Sequence, residues 1–192
     1  MTETAIRSFV AVALPRAVQD EVAAAAGRLA GALSGVKWNR KAENLHVTMK
    51  FLGQVAPERL AALGAALREG LAEVAPFELW LQGFGAFPSA RDAKVLFAGI
   101  ADEKHELAEV AALVDAIAAR FGFERETRAF TGHVTIGRSK EGVDARAVLS
   151  PQSGAPLGFA LIQEVHVYES QLGSEGSTYV LRHCARLGAH AN

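Results

Sequence analysis

His46-Val47-Thr48-Met49 and His133-Val134-Thr135-Ile136 are two versions of one tetrapeptide pattern, and each sits in a stretch with strand character. Residues two apart on a strand share a face. Each copy therefore sets an imidazole beside a hydroxyl. Two copies facing each other make a cup with two groups that titrate near neutral pH and two neutral hydrogen-bond donors. That combination suits acid–base chemistry on an oxyanion, a phosphate above all.

The copies stand at a constant offset of 87 residues, and the correspondence continues outside them. Gly35 precedes His46 by the same distance at which Gly122 precedes His133, and apolar stretches holding Phe9 and Phe97 each run into a long helical pattern. This is an internal duplication with the motif at the same place in both halves.

Outward from the motifs, Ile6 to Leu14 has the composition of a buried strand, and Pro15 opens an Ala-rich helical pattern to about Ser34. Asn44 to Gly53 predicts a strand, Pro57 to about Val74 a helix, and Phe77 to Phe87 with Lys94 to Ile100 a hairpin. The order then repeats, with a helix over about 102–121, a strand over 131–138, a short helix before Pro151 and a loop through the 150s. Two final strands are expected, at about 159–169 and 178–187. The class is α+β, with two pseudo-twofold related lobes of antiparallel strands and helices around a central cleft, forming one bilobal domain over residues 1–192.

A chain of 192 residues, half of them hydrophobic, buries a substantial core. With a formal net charge of −1 it lacks the broad basic footprint that grips long duplexes, so a nucleic-acid ligand would be held by an end. A single cysteine, Cys184, excludes an intrachain disulfide framework and fits a reducing compartment. The apolar run from Phe9 to Leu14 is too short for a signal-peptide core, and no stretch approaches the roughly 20 apolar residues of a membrane span. The expectation is a cytoplasmic monomer without a membrane partner.

Phe51 and Arg138 each lie five residues after their histidine, and so at equivalent positions of the two halves. An aromatic face and a guanidinium plane on opposite walls can sandwich a terminal base. Five is odd, however, so on an ideal strand both would point away from the histidine face; Gly53 and Gly137 mark where a bulge or a strand end could turn the chain. Lys50 has the parity to join His46 and Thr48 as a phosphate ligand, with a solvated strand-end lysine as the plainer reading, and Trp38 is placed either lining the cleft or partly buried. Of the remaining imidazoles, only His166 shares a strand face with Tyr168 and Ser170. His105, His183 and His190 are read as surface or sheet residues. Neither motif has a cysteine or carboxylate at a same-face offset, so no metal is expected there.

The stretches Arg7-Ser8-Phe9-Val10-Ala11, Glu43 to Gly53, Phe130 to Arg138 and Tyr168-Glu169-Ser170 together resemble the two-histidine phosphoesterase superfamily, specifically the RNA 2′,3′-cyclic phosphodiesterases historically called 2′-5′ RNA ligases. The resemblance covers nearly the whole chain. It implies a hydrolase without metal or cofactor that opens a terminal 2′,3′-cyclic phosphate to a 2′-phosphate, with His46 and His133 sharing the acid and base roles and Thr48 and Thr135 binding phosphate oxygens. The implied partners are RNA ends or small nucleotides carrying a cyclic phosphate. Action on 2′-5′ linkages or small cyclic nucleotides, or a silent RNA-end binding module, stays open as an alternative. One departure is Gly132, where that family usually has proline before the second histidine; glycine there loosens the backbone.

Overall fold

In a computed structural model, residues 5–173 and 176–189 are described. The elements in chain order are β1 (Ile6–Ala13), α1 (Arg16–Ala30), β2 (Lys37–Trp38), β3 (His46–Val55), α2 (Pro57–Gly70), β4 (Phe77–Pro88), β5 (Ala93–Ala101), α3 (Glu106–Ala119), β6 (His133–Val143), α4 (Arg146–Leu149), β7 (Pro156–Ile162), β8 (Glu164–Gly173) and β9 (Gly176–Arg186). Pro57 occupies the start of α2, where a missing N–H costs nothing and the fixed φ favours the helix. The start of α3 is held differently: the Asp102 carboxylate accepts the N–H groups of Leu107 and Ala108, an anion on otherwise orphan donors.

The strands form one antiparallel sheet in the order β7-β4-β5-β6-β3-β1-β8-β9, with β2 added beside β6. The order is symmetric about its centre: β3 meets β6, and β1 and β5 flank them. The two central strands pair at Val47 and Val134, the middle residues of the two motifs, so the pseudo-twofold passes between these valines. Both are fully buried, on the side opposite the histidines. Gly35 and Gly122 carry the duplication into the backbone, with φ of +75° and +76°, a region glycine enters without steric cost.

The halves are not separate lobes with private cores. After β1, α1 packs across on β7; after β5, α3 packs on β3 and α2, and α2 packs on β9. Val18, Val22, Ala25, Ala26 and Leu29 form the buried stripe of α1, at the helical spacing. The sheet also curls strongly. β7 and β8 stand six strand positions apart, about 29 Å if flat at about 4.8 Å per strand, yet only Gln163, with a reach of about 3.5 Å per residue, separates them in sequence. The flanks must therefore curve round to meet. The Gln163 carbonyl, accepting the Leu187 N–H at 2.8 Å, lies at that seam.

This seam corrects the single strand expected over 159–169. The sequence carries the break as a change of parity, since buried Ala160 and Ile162 are even-numbered and buried Val165 and Val167 odd-numbered. Two helices are also shorter than expected: α1 stops at Ala30, with Gly31 following it, and α2 at Gly70. β6 instead runs on through Ser139–Val143 and pairs with Ala93. Among the described residues no helix is long and apolar enough to cross a membrane. The expectation for His190 falls outside the described residues.

Candidate active site

An antiparallel register centred on Val47 and Val134 sets His46 opposite Thr135 and Thr48 opposite His133. The four polar side chains thus share one sheet face, each histidine next to one threonine along its strand and opposite the other across it. The imidazoles are oriented alike. His46 Nδ1 lies 2.7 Å from the Asn44 carbonyl and His133 Nδ1 2.9 Å from the Thr131 carbonyl, in each case the residue two before. A carbonyl only accepts, so Nδ1 carries the hydrogen and Nε2 is left for the cleft. In the first motif Nε2 stands 3.0 Å from the Thr48 hydroxyl.

Aromatic rings fix both imidazoles. Phe9 lies 4.8 Å from His46, and Tyr179 meets the same ring edge-on at 5.1 Å. Phe97 and Phe87 flank His133 at 5.4 Å and 5.1 Å. Phe9 and Phe97, which mark the duplication in the sequence, are therefore equivalent walls. Burial pushes the His46 pKa down to about 4, opposed by the Asn44 carbonyl and reinforced by the positive charges of His133 and Arg138. His46 is thus neutral at pH 7.

The parity difficulty at Phe51 and Arg138 is resolved by a duplicated bulge. Ala11 pairs with Thr48 and Val10 with Lys50, leaving Met49 as an extra residue on β3; Phe97 pairs with Thr135 and Leu96 with Gly137, leaving Ile136 extra on β6. One inserted residue exchanges the faces of all that follow. Phe51 and Arg138 consequently return to the cleft, and Phe51 is 64% exposed. The bulge expected at Gly53 is not what turns Phe51: the irregularity beside Gly53, at Leu52, lies beyond it. Both readings of Lys50 also fail. The same bulge drives it to the other face, where it is 3% exposed and bound to Asp115 and to the Glu124 carbonyl.

His46, Thr48, Phe51, Thr135 and Arg138 line one cavity of about 1340 Å³, with His133 beside it rather than in its lining. Trp38 and Ser170 line the cavity as well. His166 does not; it sits between Glu164 and Tyr168 on β8. Composition concealed one property of this cavity. Arg7, Lys37, Arg40, Lys41 and Arg138 line it with no carboxylate among the described lining residues, although the chain as a whole is at −1. The run from Lys37 to Lys41 was its only visible trace in the sequence. Tyr179, which faces His46 from the far strand β9, had none.

Gly132 also finds a reason. A Cβ there would come within 2.7 Å of Leu107 Cδ2 and 3.4 Å of Ile100 Cδ1, so the space that a proline ring would take is filled by the first turn of α3 and by β5.

A family model described as the 2′-5′ RNA ligase superfamily matches residues 14–173. The chain is 32% identical over 177 residues to an RNA 2′,3′-cyclic phosphodiesterase of Archaeoglobus fulgidus, covering 91% of this chain and 96% of that protein. It is 30% identical over 178 residues to the protein of the same name from Methanothermobacter thermautotrophicus, covering 91% and 95%. Among solved structures, Escherichia coli LigT complexed with 3′-AMP superposes with a TM-score of 0.76 at 25% identity, covering 95% of this chain and 98% of that one. TT0787 of Thermus thermophilus shares the fold, with a TM-score of 0.77 at 24% identity over 95% and 98% of the two chains. With the doubled motif, the curled sheet and a match across most of its length, the chain belongs to the 2′-5′ RNA ligase superfamily.

Proposed function

We propose that this protein hydrolyses a terminal RNA 2′,3′-cyclic phosphate to a 2′-phosphate, with His46 as general base and His133 as general acid and without a metal ion. The observation that carries this reading is the pair of imidazoles on one sheet face, held through Nδ1 by equivalent carbonyls so that Nε2 of each is left for proton transfer. Water attacks phosphorus while His46 Nε2, neutral because of its burial, takes the proton. The bond from phosphorus to O3′ breaks, and His133 delivers a proton from Nε2 to the departing oxygen. Thr48 and Thr135 donate to the non-bridging oxygens, where charge is held in the transition state. The names of the relatives support the reaction class, and the cationic cleft favours a polyanionic substrate.

The test is turnover of nucleoside 2′,3′-cyclic phosphates, and of oligonucleotides ending in one, in EDTA with identification of the product isomer. A 2′-phosphate formed at an undiminished rate is expected. A 3′-phosphate product would reverse the assignment of the leaving oxygen, and activity lost in EDTA but restored by zinc or manganese would overturn the metal-free reaction.

The pH profile follows from the state of His46. Because kcat/KM reports the free enzyme, its acid limb should fall far below the ordinary imidazole value of about 6.5, near 4. Stability shifts with it. Below about 6.5 an unfolded chain binds a proton at this histidine that the folded chain refuses. The contribution of His46 is therefore complete above that pH and is lost as the pH falls through about 4. An acid limb centred at 6.5 would show that His46 is not the base.

For the substrate base, Phe51 and Arg138 supply two planar faces on the cleft. Phe51→Ala is expected to raise KM for a nucleoside cyclic phosphate by the equivalent of about 1–3 kcal/mol for a lost stack, with kcat changed much less. A ribose cyclic phosphate should be indifferent to that substitution. Arg138→Ala separates two roles, since a stacking arginine spares the baseless substrate whereas a phosphate ligand weakens both. Unchanged KM in Phe51→Ala, checked for folding by circular dichroism, would exclude the stack.

A further inference from the structure

Outside the cleft, the sheet gathers a second set of chemically competent side chains. His166 on β8 pairs directly with Cys184 on β9, and Glu164 lies two residues before His166 on the same face. One donor atom from each, a carboxylate oxygen, a ring nitrogen and the thiol sulfur, lies within 4.8 Å of the other two. His166 Nε2 is 2.9 Å from Glu164 Oε2, and its other nitrogen, Nδ1, is 2.8 Å from the Tyr168 hydroxyl.

We propose that Glu164, His166 and Cys184 form a site for one transition-metal cation of the zinc type, separate from the paired histidines. Three protein donors of these kinds with an open fourth position make a tetrahedral set, in which bond lengths of about 2.0–2.3 Å put the donors roughly 3.3–3.6 Å apart. The donors, within 4.8 Å of one another, stand at most about 1.5 Å beyond that range, a gap that binding would close by side-chain rotation. The donors are preorganised on paired strands rather than on a loop. A sulfur and an imidazole beside one carboxylate select zinc or cobalt over magnesium or calcium, which take oxygen.

Tyr168 supplies what a ligating histidine ordinarily has, a partner for its second ring nitrogen that fixes orientation and tautomer. With the cation on Nε2, the Nδ1 hydrogen is donated to the Tyr168 hydroxyl oxygen. The cation's competitor is Arg186, whose Nε lies 3.2 Å from Glu164 Oε1. Occupancy would clip β9 to β8 and hold Tyr168, which shares a small cavity with His46. This site supplies no group to the hydrolysis, and Cys184→Ser tells the two apart, since it removes a cation ligand here and leaves the paired histidines untouched.

The test is titration of the chelator-treated full chain with cobalt(II), followed by the near-ultraviolet thiolate-to-cobalt charge-transfer absorbance and then by displacement with zinc. Saturable binding of one cation per chain at micromolar cobalt is expected, with the charge-transfer band absent in Cys184→Ser. His166→Asn should weaken binding at least about tenfold, since even the partners of ligands are worth that much. Arg186→Gln should bind more tightly than the parent chain because Glu164 loses its competing cation, a gain that no misfolded variant produces. Absence of saturable binding, a band that persists in Cys184→Ser, or weaker binding in Arg186→Gln would each reduce the cluster to a hydrogen-bond network and overturn the proposal.

Discussion

His46→Ala and His133→Ala are each expected to lower kcat on a 2′,3′-cyclic phosphate by about 10²–10⁴-fold, the usual worth of one positioned acid or base. Both imidazoles stand on the sheet face turned away from the core behind Val47 and Val134, so truncation should leave folding intact by circular dichroism and thermal melting. The double variant should fall far short of the product of the two single effects, because groups that act as a unit do not contribute additively. The two single variants should differ in pH dependence. Without His46 the acid limb disappears, since the group whose burial lowers its pKa to about 4 is gone; without His133 that limb remains. A variant of either histidine that keeps near-parental turnover would remove that residue from the chemistry.

That both histidines were legible in the sequence has a physical cause. A strand face has period two, and a duplicated strand repeats its polar face residue for residue, so His46, Thr48, His133 and Thr135 could be placed in one cup by spacing alone. Gly35 and Gly122 were legible for a similar reason, because left-handed turns require glycine in both halves. What escaped depends on pairing between distant strands. The bulge at Met49 leaves no mark in the local sequence, since an apolar residue suits either a regular or a bulged position, whereas the bulge at Ile136 lies beside Gly137, where one was expected. They decide which way Lys50, Phe51 and Arg138 face. The neighbourhood of Cys184 and His166 depends in turn on the β8–β9 register. Glu164, two residues before His166, was within reach of the parity argument, but Cys184 was not.

The second large effect concerns Lys50, the residue that the first bulge turns inward. Its ammonium lies 2.6 Å from Asp115 Oδ1 on α3 and 2.7 Å from the Glu124 carbonyl, with Glu126 farther off at 3.9 Å. Burial alone would push the Asp115 carboxyl up, but Lys50, the Glu126 N–H and Arg125 hold it below the usual carboxylate range. The pair therefore joins three parts: the bulge that aims Phe51, the helix behind the sheet, and the segment that leads through Gly132 into His133. Asp115→Ala should destabilise the fold by about 3–5 kcal/mol, because it leaves a buried ammonium without its counter-charge. Lys50→Met should cost clearly less. It removes the buried cation outright, fills most of the same volume, and leaves Asp115 with Arg125 and the Glu126 N–H. The asymmetry is the informative quantity, and denaturant unfolding of the two variants measures it. At temperatures where both remain folded, each should also lose turnover, because the approach to His133 is tied less firmly to the strand carrying His46. Equal destabilisation by the two substitutions would mean that lost packing, not an uncompensated charge, sets the cost. Unchanged turnover in the folded variants would mean that the segment before His133 is held without this pair.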